Sequence, residues 1–376
     1  MICIDRIELR KVRNLPELVI PLDEKEKKHL ILTGPNGSGK TTVVNELKQY
    51  LDGLTRVPAE KELNKKSAAV ISFTDLLGLY PKWLRGDFVI CSFDAHRKVS
   101  FKEPEGPKKI KEPKTLLENV GQYFVQYMVN LRARRSFAND DGDKETADKI
   151  QRWFDGFERS LAILLGHSDF ELMFDSKEFN YTIKEKDKEP YHFSQLSDGY
   201  SALLSIVSEL MLRMSLEEPL DAYGKEGVVL IDEVENHLHV GLQKKVMPFL
   251  TELFPNVQFI VTTHSPFVLS SIKDSVIFDL ESRKRYADFS EYSYQSIIEG
   301  YYGVDIYSTV VVEAVDKAEK MLRQPSLTEE EEVEIKNLYR SVMSLPEERV
   351  KSVAPELRVK LKDLVIKNSS KLHGLL

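Results

Sequence analysis

Residues 34–41 read Gly34-Pro35-Asn36-Gly37-Ser38-Gly39-Lys40-Thr41, and this octapeptide constrains the fold of the chain more than any other segment. It fits the pattern G-x-x-x-x-G-K-[ST], follows the apolar run Leu30-Ile31-Leu32, and precedes a helix expected from about Thr41 to Leu51. Strand, glycine-rich turn and helix in that order imply an α/β sheet with the turn at the carboxyl end of a strand. The glycines let the backbone curl so that its N–H groups face a polyphosphate, and the helix N-terminus adds the positive end of a dipole. In such a loop Lys40 reaches the β- and γ-phosphates, the Thr41 hydroxyl ligates magnesium, and Thr42 adds a phosphate contact.

Elsewhere the periodicity alternates between strand and helix. Residues 2–22 and 29–33 read as strands, and a short buried strand is expected over 87–93. Residues 102–114, rich in Lys, Glu and Pro, read as a linker or exposed loop. Leu116, Leu117, Val120, Phe124, Tyr127, Met128 and Leu131 recur at helical spacing, as do Ile150, Trp153, Phe154, Phe157, Leu161 and Leu164. The polar run FANDDGDKETA lies between these two amphipathic helices. No heptad repeat is sustained, so the pair is a helical insertion and not a coiled-coil arm. FELMF and FNYTI, separated by DSKE, predict a β-ribbon. Residues 193–280 then alternate helix and strand, with strands at 227–231, 257–262 and 275–280, which predicts mainly parallel pairing. Beyond residue 305 the pattern is helical and charged.

A phosphate loop needs an acidic partner, and Val228-Val229-Leu230-Ile231 ends in Asp232 and Glu233. At the carboxyl end of a buried strand, Asp232 is expected to hold magnesium and Glu233 to polarise the attacking water as general base. Leu196-Ser197-Asp198-Gly199-Tyr200 opens a long apolar helix, so Ser197 and Gly199 make a second anion site at a helix N-terminus. His264, in FIVTTHSPF, ends the strand that follows the acidic pair.

These four elements in this order resemble the ABC-type P-loop ATPases. The resemblance implies an α/β ATPase head with a mainly parallel central sheet, a helical insertion and a helical C-terminal tail. It implies ATP and magnesium as ligands, catalytic roles for Glu233 and His264, and a homodimer in which Ser197, Asp198 and Gly199 close on the opposite subunit's nucleotide. The head would comprise 1–96 and 191–305, flanking an insertion plus β-ribbon at 97–190 and followed by a helical region at 306–376. Two departures stand out. The glutamine usual after an early strand is absent, and His96 or Arg97 is expected in its place. The acidic pair is followed by VENHLHV, whose Glu235, His237 and His239 read as loop and dimer-contact residues, not as a metal site.

The segments DEVENHLH and TTHSP resemble the OLD/RecF-like branch, which includes ATPase subunits of anti-phage systems such as Septu and PARIS. Glu313 could mimic part of a Toprim nuclease site, but no Asp-x-Asp follows it in the remaining chain of about sixty residues. The resemblance therefore implies an ATPase switch gating a separate effector, a nuclease by expectation. A repair or recombination ATPase is the alternative, ahead of a transporter subunit and a non-hydrolysing ATP binder. The net charge of −7 argues against a chain that coats nucleic acid. The basic stretches at 102–114 and at Arg132, Arg134 and Arg135 read as solvated, with phosphate contact as the other reading. Two cysteines, no signal-peptide pattern and no apolar run of ~20 residues point to a cytoplasmic protein without a membrane span.

Overall fold

The computed structural model describes residues 1–56, 67–97, 100–111, 119–166, 170–186, 188–215, 224–303, 309–343 and 355–372. Three strands near the start, Ile4–Leu9 (β1), Leu18–Pro21 (β2) and His29–Thr33 (β3), lead into helix α1 (Lys40–Arg56). Ala69–Phe73 (β4), helix α2 (Leu76–Leu84) and Phe88–Phe93 (β5) follow. Later strands are Glu226–Ile231 (β9), Val257–Thr262 (β10), Ser275–Asp279 (β11) and Lys284–Ala287 (β12). Between them lie β6 (Glu171–Asp175), β7 (Asn180–Lys184) and β8 (Tyr191–His192).

The central sheet has six strands in the order β12-β11-β3-β10-β9-β5, and every pairing is parallel except β12 on β11. Every residue of β3 and β10 is buried, which matches their lack of apolar–polar alternation, because a parallel sheet is covered on both faces. On one face α1 packs its Val43, Val44, Leu47 and Leu51 into a core shared with Leu30, Leu32 and the antiparallel sheet β2-β1-β4. Gln258, fully buried in β10, ties the two sheets: its side chain accepts from Ile4 N and donates to the carbonyls of Ile4 and Lys28. Helix α5 (Asp198–Ser215) is buried on nearly all sides, as its Ala-Leu-Leu-Ser-Ile-Val sequence requires.

The insertion holds helices α3 (Phe124–Asp140) and α4 (Lys144–Leu165), joined by an aromatic cluster in which Phe124, Trp153 and Phe157 meet at centroid distances of 5.2–6.5 Å. The polar run between them is mostly helical and not a loop. Only residues 141–143 turn, because Gly142 adopts φ 79° and Asp143 caps α4 by accepting from Thr146 N. Leu116 and Leu117 lie outside the described residues, and α3 begins at Phe124 after a single turn at Gly121–Tyr123. The β-ribbon pairs Glu171 with Lys184 through Asp175 with Asn180, and gains a third strand, β8, too short to show alternation in sequence.

Residues 1–292 form one compact unit and 293–376 a second. The 97–190 insertion therefore shares a unit with the head segments around it, and the second unit begins ahead of residue 306. That unit contains α7 (Thr309–Leu322), α8 (Glu329–Met343) and α9 (Pro355–Lys367), once α6 (Val246–Leu253) of the head is counted. Its small cores join Val315, Ala318 and Leu361, and Leu322, Ile335, Val365 and Leu372. Among the described residues no helix is long and apolar enough to cross a membrane.

Candidate active site

The phosphate loop connects β3 to α1, and its backbone explains its glycines. Gly34, Gly37 and Gly39 have φ of 135°, 83° and 99°, values that L side chains adopt only under strain. A methyl group on Gly39 would also come within 2.7 Å of the Leu15 side chain, which supports the loop from the β1–β2 connection. Gly37 borders open space, and the Ser38 hydroxyl is buried without a hydrogen-bond partner. A helix leaves the N–H groups of its first turn without intrahelical partners, so with the Ser38 hydroxyl the start of α1 offers donors for an anion. Pro35 and Asn36 lie exposed at its rim, Thr41 is exposed at the helix start, and Thr42 borders a groove of about 320 Å³ lined also by Arg13, Asn45 and Gln49.

Lys40 is buried, and its ammonium donates to the carbonyls of Gly34 (2.8 Å) and Pro35 (3.0 Å). Burial lowers its pKa, against the opposing pull of Glu233, Glu235, Asp232 and Asp279. The carboxylates reach it because β10 and β11 flank β3 and β9 lies beyond β10, so four parallel strands deliver their carboxyl ends to one edge of the sheet.

Asp232 is buried at the end of β9, and Thr262, the last residue of β10, holds it. The Thr262 hydroxyl donates to Asp232 Oδ1 at 2.6 Å and accepts from Glu233 N at 2.6 Å. Glu233 has φ 46°, a left-handed conformation that costs a non-glycine residue roughly 1–2 kcal/mol. It is half-buried, and its carboxylate is near enough to Lys40 to raise that lysine's pKa. His264 lies just past β10; its backbone N–H donates to Glu235 Oε1 at 2.5 Å. Burial, reinforced by Lys40 and opposed by Glu235, Glu233 and Asp232, lowers the His264 pKa below its ordinary 6.5, which favours the neutral imidazole.

The remaining sequence candidates are distributed less uniformly. Ser197 and Asp198 are exposed at the start of α5, whereas Gly199 is buried, and a methyl group there would meet the His237 carbonyl at 2.7 Å. Glu235 serves its own subunit by bonding His264, while His237 and His239 are exposed. His96 is exposed too. Arg97 is buried, and its guanidinium donates to backbone carbonyls of the loop after β9. A guanidinium has no acceptor atom, so Arg97 does not ligate the magnesium that a glutamine carbonyl would. Glu313 is exposed on α7.

Thr262 was invisible to sequence reasoning, because a threonine in a strand run reads only as a strand residue; its place two residues before His264 was the available clue. Thr262→Val keeps the shape but leaves Asp232 and the Glu233 N–H without their partner. The variant is expected to need about 10–100-fold more magnesium for half-maximal turnover, read from phosphate release against magnesium concentration.

The Thr41 hydroxyl and the Asp232 carboxylate are hard oxygen donors of the kind magnesium takes. Residues 87–270 match the family described as "AAA domain, putative AbiEii toxin, Type IV TA system". The chain is similar to the "Retron Vc95 probable ATPase" of Vibrio cholerae serotype O1 biovar El Tor, at 28% identity over 55% of this chain and 38% of that protein. The chain thus spans well under half of that relative's length. It is also similar to the Septu protein PtuA of Bacillus thuringiensis, at 23% identity over 82% of this chain and 86% of the relative. Among solved structures, an SMC head bound to the C-winged helix domain of ScpA aligns at 14% identity and a TM-score of 0.40, covering 73% of this chain and 94% of that one.

Proposed function

We propose that the chain, similar over part of its length to a retron probable ATPase and to a Septu protein, hydrolyses ATP as the switch subunit of an anti-phage defence complex. The observation that carries this reading is the placement of Lys40, Asp232, Glu233 and His264 at the carboxyl ends of β3, β9 and β10, where Thr262 bonds Asp232 and Glu233 and the His264 N–H bonds Glu235.

In this reading the loop amides and the Ser38 hydroxyl receive the polyphosphate, and Lys40 exchanges its carbonyl partners for β- and γ-phosphate oxygens. Thr41 and Asp232 would hold magnesium, which neutralises charge on those oxygens. Glu233 orients the attacking water and accepts its proton, while neutral His264 donates a hydrogen bond beside the γ-phosphate. The exposed Ser197 and Asp198, with the N-terminal end of α5, close over the nucleotide of a second copy of the chain. In keeping with the similarity to the Septu protein PtuA, effector chemistry is assigned to a separate polypeptide, a nuclease by class.

The junction is tested best at Ser197. Gly199 is unsuited, because any side chain there pushes on the subunit's own loop at His237. Ser197→Arg is expected to bind ATP normally, to show no ATP-dependent rise in mass by light scattering, and to lose about 10²-fold in turnover. Equal ATP-dependent association of variant and wild type would refute the two-headed arrangement while leaving the phosphate loop assignment intact.

A further inference from the structure

The loop that carries Glu233 is held from outside by a buried cation. Arg97 Nη1 donates to the Asp232 carbonyl at 2.7 Å, and Nη2 donates to the carbonyls of Glu233 (2.8 Å) and Val234 (2.9 Å). Three successive carbonyls thus converge on one planar fork. The rest of the β5 exit wraps the same loop: Phe93 O accepts from Asp232 N at 2.9 Å, and Ala95 O accepts from Asn236 Nδ2 at 3.0 Å. Asp94 in turn pairs with Lys48 of α1 at 2.8 Å, which links this brace to the helix that begins at the phosphate loop.

We propose that Arg97 is a positioning residue for Glu233, fixing through the backbone the left-handed turn that aims the carboxylate at the nucleotide. The proposal rests on the reading of Glu233 as general base. The geometry favours it over a direct ligand contact, because both Nη atoms are committed to carbonyls and the residue is buried. A buried guanidinium bonded to neutral carbonyls is expensive to maintain. Here Glu235, Asp232 and Glu233 offset part of that cost electrostatically. Glu233 itself is clasped on both sides of its α-carbon, by Thr262 at its N–H and by Arg97 at its carbonyl, so its φ of 46° is over-determined. A lysine in place of Arg97 keeps the charge but cannot span three carbonyls with one fork.

Arg97→Lys and Arg97→Gln, each alone and combined with Glu233→Gln, test the idea through single-turnover hydrolysis, binding of a fluorescent ATP analogue, and hydrogen–deuterium exchange. The expected result is a fall in turnover of about 10²-fold from a misaimed base, with nucleotide affinity unchanged. The Glu233→Gln background should show no further loss, because the two residues act as one unit. Exchange should quicken over residues 231–236 and stay as in wild type over β3. A raised dissociation constant at unchanged turnover, or multiplied losses in the double variant, would overturn the proposal. So would unaltered exchange over 231–236. If Glu233→Gln alone keeps wild-type turnover, the base assignment fails, and the exchange measurement still decides whether Arg97 holds the loop.

Discussion

Glu233→Gln should bind ATP with wild-type affinity, turn it over about 10²–10⁴-fold more slowly, and accumulate as a dimer when ATP and magnesium are added. The substitution preserves side-chain length and can still hydrogen-bond water, but an amide cannot accept the proton. The hydrogen bonds that hold Lys40 and Asp232 do not involve the Glu233 carboxylate: Lys40 is bonded to loop carbonyls and Asp232 is held by Thr262. The left-handed backbone at residue 233 is fixed by its own N–H and carbonyl, so glutamine should occupy the same place. Unhydrolysed ATP should then keep two heads joined through Ser197 and the start of α5. Light scattering with and without ATP measures the mass, and phosphate release measures the rate. Wild-type turnover would remove Glu233 from the chemistry, whereas slow turnover with no change in mass would remove the second head.

Lys40→Ala should abolish hydrolysis by a different route. Removing the ammonium deprives the β- and γ-phosphates of their one buried cation from α1 in a desolvated cradle, where one donor is worth ~10²–10³-fold in rate. Affinity for ATP should fall as well, which separates this variant from Glu233→Gln. The fold should survive, because burial already disfavours the charged lysine and its two acceptors are carbonyls of the loop itself. Circular dichroism with a thermal melt checks the fold, and titration with labelled nucleotide checks the affinity. A folded Lys40→Ala protein that hydrolyses ATP at the wild-type rate would show that the nucleotide binds elsewhere.

The features legible in the sequence are those that a single element encodes. The phosphate loop required positive φ at Gly34, Gly37 and Gly39, which glycine tolerates, and the strands around it were buried on both faces and therefore mainly apolar, without alternation. Periodicity located α4 and the ribbon β6–β7, because amphipathic spacing reports how one element faces its own core. It also placed Phe124, Tyr127, Met128 and Leu131 on α3, but it carried no sign that Gly142 and Asp143 confine the break between the two helices to residues 141–143.

Contacts between elements were decided by tertiary structure alone. The order β11-β3-β10-β9-β5 brought Lys40, Asp232 and His264 together from distant parts of the chain, and parallel register set Thr262 where its hydroxyl could serve both Asp232 and Glu233. Arg97 looked like a stand-in for a metal-binding glutamine; the course of the chain after β5 turned it onto three carbonyls instead. Gly199 looked like a donor for a partner's nucleotide, and packing gave it a second constraint against its own His237. Residue type and spacing fix what a segment can bury or bond. Which hydrogen-bonding groups it meets depends on strand order and register, and those follow from the packing of the whole chain.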